Sequence, residues 1–153
     1  MKKNNIRLLR TNSSHKDFID LVQRLDAELA ERDGDLHDFY HQFNSIDHLN
    51  HVIVAYNNDQ AIGCGAFKPF TAVSVEIKRM YVPPQFRGEG IASTLLKSLE
   101  EWASELGNTS CVLETGKRQP EAIALYTHKG YHLTENYGQY QGIENSVCFK
   151  KQL

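Results

Sequence analysis

Apolar residues recur at intervals of three and four through Phe18, Leu21, Val22, Leu25 and Leu29, with acidic residues, Gln23 and Arg24 between them. That period belongs to a helix with one buried face. Ser13 and Ser14 precede it as N-cap residues and Gly34 follows it as a stop, so the pattern predicts a helix running to about Glu31. Ile6 to Arg10 reads as a short strand ahead of it, and Leu36 to Phe43 as a second, short helix behind it. From His51 the pattern turns strand-like. His51 to Tyr56 is apolar and β-branched, Asn57-Asn58-Asp59 is turn chemistry, and Gln60 to Phe67 continues extended, which predicts a β-hairpin. Val73 to Val82 predicts a further strand, with Glu76, Lys78 and Met80 on one face and Ile77, Arg79 and Tyr81 on the other. Pro83-Pro84 ends it, because proline has no amide to give a ladder.

The second half alternates. Ile91, Leu95, Leu96, Leu99, Trp102 and Ala103 mark one face of a helix predicted from Glu89 to Leu106, with Gly107 placed to end it. Cys111 to Glu114 predicts a strand, Glu121 to Lys129 a helix closed by Gly130, Tyr131 to Thr134 a strand, and Ser146 to Lys150 the last strand. A hairpin followed by alternating strands and helices points to an α/β fold, a mixed sheet covered by helices. With 153 residues and no repeat or low-complexity linker, residues 1–153 are expected to form one domain.

Composition narrows the class. Hydrophobic residues make up 41% and charged residues 24%, the profile of an ordinary globular protein rather than a disordered or collagen-like one. Seventeen Lys and Arg against nineteen Asp and Glu leave a net charge of -2, so no strong field favours nucleic acid or an anionic membrane. Met1 to Ile6 carries two lysines with no apolar run behind them, and no stretch approaches a membrane span, so a cytoplasmic location is expected. Cys64, Cys111 and Cys148 are odd in number, far apart and set among apolar neighbours, which suits small buried thiols better than redox or nucleophilic roles.

The richest chemistry lies in Gln85-Phe86-Arg87-Gly88-Glu89-Gly90-Ile91-Ala92, which joins a strand directly to a capable helix. Two glycines one residue apart allow a tight turn, leaving amides free to converge where the helix dipole favours an anion. Such a turn makes a cradle for a pyrophosphate, with Arg87 able to add a charge-assisted hydrogen bond. The segment lacks the third glycine of a dinucleotide fingerprint and the Lys-Ser/Thr of a P-loop. Simple turn glycines are the other reading of the local pattern.

Strand, then Val82-Pro83-Pro84-Gln85-Phe86-Arg87-Gly88-Glu89-Gly90-Ile91-Ala92, then helix, resembles the acetyl-CoA binding motif of the GNAT superfamily of N-acetyltransferases, whose pattern is Gln/Arg-x-x-Gly-x-Gly/Ala. Every defining position matches. Downstream, Gln119-Pro120-Glu121-Ala122-Ile123-Ala124-Leu125-Tyr126-Thr127-His128-Lys129-Gly130-Tyr131 is similar to that family's Asn-x-x-Ala-x-x-Leu-Tyr-x-x-x-Gly-Phe segment, with Gln119 in place of Asn and Tyr131 in place of Phe. The resemblance covers roughly Val73 to Thr134. It implies a three-layer GNAT-type fold, a mixed central sheet with helices on both faces, and acetyl-CoA as co-substrate with no metal.

The same resemblance implies site residues. Backbone groups at Met80, Tyr81 and Val82 would face the pantetheine arm, and amides from Arg87 through Gly88, Glu89, Gly90, Ile91 and Ala92 to Ser93 would hold the pyrophosphate, with Gln119 alongside the arm. Tyr126 would be the acid for the leaving thiolate, although a tyrosine at that helical interval also packs simply against a sheet. Glu76 would be the base that keeps the attacking amine neutral, a solvated edge glutamate being its plainer reading. Tyr137 and Tyr140 precede the last strand, in a region that lines the acceptor site in this family. Asp33, His37 and His41, spaced by four, would stack on one helix face, an arrangement met far more often as an exposed polar face than as a metal site. Arg79 is expected to pair with a carboxylate. The expected function is acetyl transfer to the primary amine of a small or amino acid-like acceptor. The alternatives are a protein or peptide N-acetyltransferase and a non-catalytic acyl-CoA sensor. No feature selects an oligomeric state, a homodimer included.

Overall fold

The computed structural model describes residues 5–34 and 48–153. Its centre is a seven-stranded sheet in the order β1-β2-β3-β4-β5-β7-β6. The strands are β1 (Ile6–Thr11), β2 (His51–Asn57), β3 (Gln60–Thr71), β4 (Ser74–Tyr81), β5 (Ser110–Gly116), β6 (His132–Thr134) and β7 (Ser146–Gln152). Neighbours are antiparallel except β4 and β5, which are parallel. Among the described residues three α-helices accompany it: α1 (Lys16–Asp33), α2 (Ile91–Glu105) and α3 (Pro120–His128).

Helices lie on both faces, and β2 reads out the arrangement residue by residue. Val52, Val54 and Tyr56 pack with Phe18, Leu21, Val22 and Leu25 of α1, while Ile53 and Ala55 pack with Ile91, Leu95, Leu96 and Leu99 of α2. A strand covered on both faces needs apolar side chains on both, which is why His51 to Tyr56 runs apolar without alternating. The four α1 residues are all buried, and each such side chain contributes on the order of 2 kcal/mol.

Differences from the sequence-based expectation are local and have physical reasons. The cap of α1 is His15, whose ring nitrogen accepts from the Asp17 amide at 3.2 Å. Ser13 is occupied elsewhere, its hydroxyl accepting the Leu49 amide at 3.0 Å, and Ser14 bonds to Asn12. Helix α2 begins at Ile91 rather than Glu89 because Gly88 and Gly90 hold φ of +84° and +79°, which no helical residue adopts. The helix expected over Leu36 to Phe43, with His37 and His41, lies outside the described residues, as does the Asp33 side chain.

One irregularity in β4 positions the site. In the ladder with β3, Ala66 pairs Lys78 and Cys64 pairs Tyr81, so Gly65 alone faces Arg79 and Met80. This is a β-bulge, and Arg79 carries φ +60° within it. The extra residue reverses the alternation. Val75 and Ile77 belong to the α2-side core, yet beyond the bulge Met80 and Val82 pack with that core and Tyr81 joins the α1 side. Met80 therefore does not share a face with Glu76 and Lys78, nor Ile77 with Arg79 and Tyr81. Gly65 permits the arrangement: a Cβ there would stand 2.5 Å from Met80 Sδ and 2.8 Å from Leu99 Cδ1.

Candidate active site

Strands β4 and β5 pair only through Ser74 with Ser110, Val75 with Cys111, and Glu76 with Val112. Past those three rungs β5 stays on the β7 ladder to Gly116, while β4 runs with β3 toward Tyr81. The sheet opens there into a V. Its walls are the strand segments beyond Glu76 and Val112, with α3 and the loop preceding α2 nearby. Two cavities meet in it.

The larger, of about 310 Å³, is lined by Met80, Tyr81, Val82, Arg87, Gly88, Gly90, Ile91, Ala92, Ser93 and Gln119, with Tyr126 and Leu125 of α3. Its floor is the start of α2. Gly90 is the N-cap, no side chain caps the helix, and no acidic residue stands in its first turn. The first amides of a helix have no intrahelical acceptor, so this end offers N–H groups and a positive dipole end to an anion. The cleft fits a pyrophosphate-bearing group. Of the loop residues expected here, Glu89 is not in the lining: it sits half-buried between two left-handed glycines.

Arg87 is already engaged. Its Nε donates to Val82 O at 2.8 Å, and its Nη2 donates to both Glu28 carboxylate oxygens at 2.8 and 3.0 Å. Glu28 lies 4.0 Å from Arg32, which pairs in turn with Glu121 at the start of α3. This chain of charges ties α1 to the loop and to α3 across the cleft. Sequence reasoning missed Glu28, whose only signal is its place on the polar side of α1.

The smaller pocket, about 110 Å³, is lined by Glu76, Lys78, Arg79, Glu114, Thr115, Tyr140 and Tyr126, together with Met80 and Gln119. Met80, Gln119, Ala122 and Tyr126 line both cavities. A group bound in one therefore meets a group bound in the other beside Tyr126. That tyrosine is buried, and its phenol is pushed above its ordinary 10.0 by burial, with Glu114 adding to the rise. It stays protonated at neutral pH.

Glu76 is not a solvated edge glutamate. It is 3% exposed on a central strand, accepts from Tyr137 Oη at 2.7 Å, and has Lys68 Nζ 3.9 Å from its other oxygen. Tyr137 thus stands behind Glu76 rather than in the pocket wall, held by ring contacts to Phe70 and Tyr140. Tyr140 does line the pocket. Arg79 pairs with Asp26 of α1 at 2.8 Å, as its charge required. Tyr131 keeps the polar tip that a phenylalanine would lack and donates it to Glu100 at 2.8 Å. Lys78 is held below its ordinary 10.5, chiefly by burial. Glu114 was missed by sequence reasoning; that it lines the same pocket as Lys78 and acts on it electrostatically is visible only in three dimensions.

Burial pushes the thiols of Cys64 and Cys111 up to about 12 and that of Cys148 up to about 11, so none offers a thiolate near neutrality. Among the described residues no group of three or more His, Cys, Asp or Glu is arranged to hold a metal ion. No helix there is long and apolar enough to cross a membrane.

The sequence pattern of the acetyltransferase (GNAT) family matches residues 17–131. An IAA acetyltransferase from Azospirillum brasilense is 35% identical over 102 residues, which cover 66% of this chain and 67% of that protein. A protein of Klebsiella pneumoniae assigned as an acyl-CoA N-acyltransferase superposes with a TM-score of 0.81 at 29% identity over 97% of both chains. A GNAT family acetyltransferase from Elizabethkingia anophelis, solved with acetyl-CoA bound, shares the fold with a TM-score of 0.70 at 22% identity over 99% of this chain and all of that one. The chain belongs to the GNAT family and to its class of acetyl-CoA-using N-acetyltransferases.

Proposed function

We propose that this GNAT family member moves the acetyl group of acetyl-CoA directly to the primary amine of a small acceptor. The observation that carries the reading is the shared wall: a cleft suited to an anionic carrier and a small pocket containing a buried carboxylate meet at Met80, Gln119, Ala122 and Tyr126. When bound, acetyl-CoA supplies the activated acetyl group. The amides of Gly88, Gly90, Ile91, Ala92 and Ser93 would hold its pyrophosphate, and the backbone of Met80, Tyr81 and Val82 its pantetheine arm, with Gln119 alongside. These β4 groups lie past the last rung shared with β5, so they have no partner strand on that side.

The remaining work falls to side chains. Glu76 is the base that accepts the amine proton, with Tyr137 Oη fixing one carboxylate oxygen and Lys68 Nζ 3.9 Å from the other. Tyr126 holds its proton at Oη for the sulfur that leaves, and burial keeps it there. A pocket of about 110 Å³ suits a small acceptor better than a folded protein segment.

The test is calorimetric binding of acetyl-CoA followed by free-thiol release across amino acids, polyamines and peptides. Binding with thiol release is expected for small amines. Binding without release on any of them overturns the reading. In Tyr126→Phe, kcat should fall about 100-fold with little change in acetyl-CoA affinity, the pattern of a lost proton donor.

A further inference from the structure

A third cavity, of about 390 Å³, adjoins the cofactor cleft and shares Gly90 and Ser93 with it. Its walls carry lysines from three separate elements: Lys97 of α2, Lys129 at the end of α3 and Lys151 of β7. Like charges repel when they converge, so such an arrangement calls for an anion. Glu100, the acidic residue of the lining, answers for one of them: it takes Lys151 at 2.9 Å and accepts from Tyr131 Oη at 2.8 Å with its other oxygen. Among the described residues the side chains of Lys97 and Lys129 make no ion pair or hydrogen bond.

Helix geometry sets the direction of Lys97. Gly90, Ser93 and Lys97 are three and four residues apart, which puts them along one side of α2. Side chains of a helix lean back toward its N-terminus, over the turn before their own. The Lys97 stem therefore runs back toward Ser93 and Gly90, the wall that the two cavities share. Lys129 is fixed independently, half-buried as the C-cap of α3 ahead of the left-handed Gly130. Two cations without a protein partner thus stand where the cleft continues past the pyrophosphate cradle. In coenzyme A the group beyond the pyrophosphate is a ribose bearing a phosphate monoester, which carries close to two negative charges at neutral pH.

We propose that Lys97 and Lys129 bind the 3′-phosphate of acetyl-CoA, so that this cavity selects the donor by its nucleotide end. The proposal rests on the acetyl-CoA reading of the cleft and deepens it. Lys151, already neutralised by Glu100, contributes less. Neither Lys97 nor Lys129 lines the cavities that meet at Tyr126, so both set affinity for the donor and take no part in the transfer.

The probes are CoA and dephospho-CoA, which differ by that phosphate alone, and the readout is calorimetric affinity rather than activity. The wild-type protein should bind CoA about 10-fold more tightly, the scale of two partly exposed ion pairs acting together. Lys97→Met and Lys129→Met should each lower CoA affinity about 3-fold and leave dephospho-CoA unchanged, and the double variant should bring the ratio close to one. Lys151→Met should change it less than either. The wild-type ratio should also shrink with added salt and below about pH 6, where a phosphate monoester gives up one of its charges. Equal affinity for the two probes overturns the proposal while leaving the pyrophosphate cradle intact, as does an undiminished ratio in the double variant. Binding of neither probe overturns the reading of the cleft, and this proposal with it.

Discussion

The cleft beside the Arg87 to Ser93 loop and the pocket around Glu76 share a wall but are built from different material. The cleft is made largely of backbone: glycine dihedrals, the open end of α2, and strand edges freed by the divergence of β4 and β5. The pocket is made of side chains from β4, β5, α1, α3 and the segment before β7, brought together by register and by one bulge. Backbone recognition accepts a common carrier and tolerates change in the side chains around it. Side-chain recognition is where an individual chain differs from its relatives.

Substitutions that attack backbone and side chain separately test that division. The largest effect is expected at Gly90, where aspartate would put a side chain and a negative charge in the anion's place. Gly90→Asp should weaken acetyl-CoA binding by about 100-fold or more in calorimetry. Retained affinity would remove the backbone cradle from the site. Next is Gly65→Ala, which forces Met80 and Leu99 to move. Overpacking of this kind costs about 1 to 3 kcal/mol in urea unfolding, and displacement of Met80 should disturb both cavities at once.

Smaller is the expected effect at Glu28, the long-range side-chain contact made by the cleft's loop. Glu28 and Arg87 are partly exposed, so releasing Arg87 by Glu28→Gln should raise acetyl-CoA affinity only a few-fold, in line with about 0.2 to 1 kcal/mol for such pairs. The rise should shrink as salt is added. Smallest is a slow pH effect away from both cavities. Unfolded thiols ionise near 9.0, whereas those of Cys64 and Cys111 are held up to about 12 and that of Cys148 up to about 11. Above pH 9 the unfolded chain therefore binds fewer protons than the native one, and stability falls as pH rises toward 11 to 12. The urea midpoint should be lower at pH 10 than at pH 8, and Cys64→Ala should flatten that slope.

The division also governs what could be read from the chain. The turn before α2 was legible because its information is local, set by the spacing of Gly88 and Gly90, although the helix begins at Ile91, two residues later than expected. Helix faces were legible for the same reason, and Phe18, Leu21, Val22 and Leu25 are buried as their spacing required. The His15 cap was hidden because the better capping residues, Ser13 and Ser14, are drawn away by Leu49 and Asn12. The face assignment of Met80 failed because an extra residue in one strand has no signature beyond the absence of a side chain at Gly65. Glu114 and Glu28 were invisible because each acquires meaning only from a residue distant in sequence, Lys78 in the same pocket and Arg87 across the cleft.

The three rungs between β4 and β5 have a mechanical consequence. On one side lies a four-stranded ribbon, on the other a three-stranded one, joined through Ser74 to Glu76 and, just before them, by the Thr109 amide donating to Val73 O. Such a seam is a pivot, and the strand ends beyond it are lever arms. A small change in the angle between the ribbons displaces Val82 and Gly116 most and Glu76 least. The residue proposed to take the acceptor's proton stands where such motion is smallest, while the walls proposed to admit a large carrier stand where it is greatest.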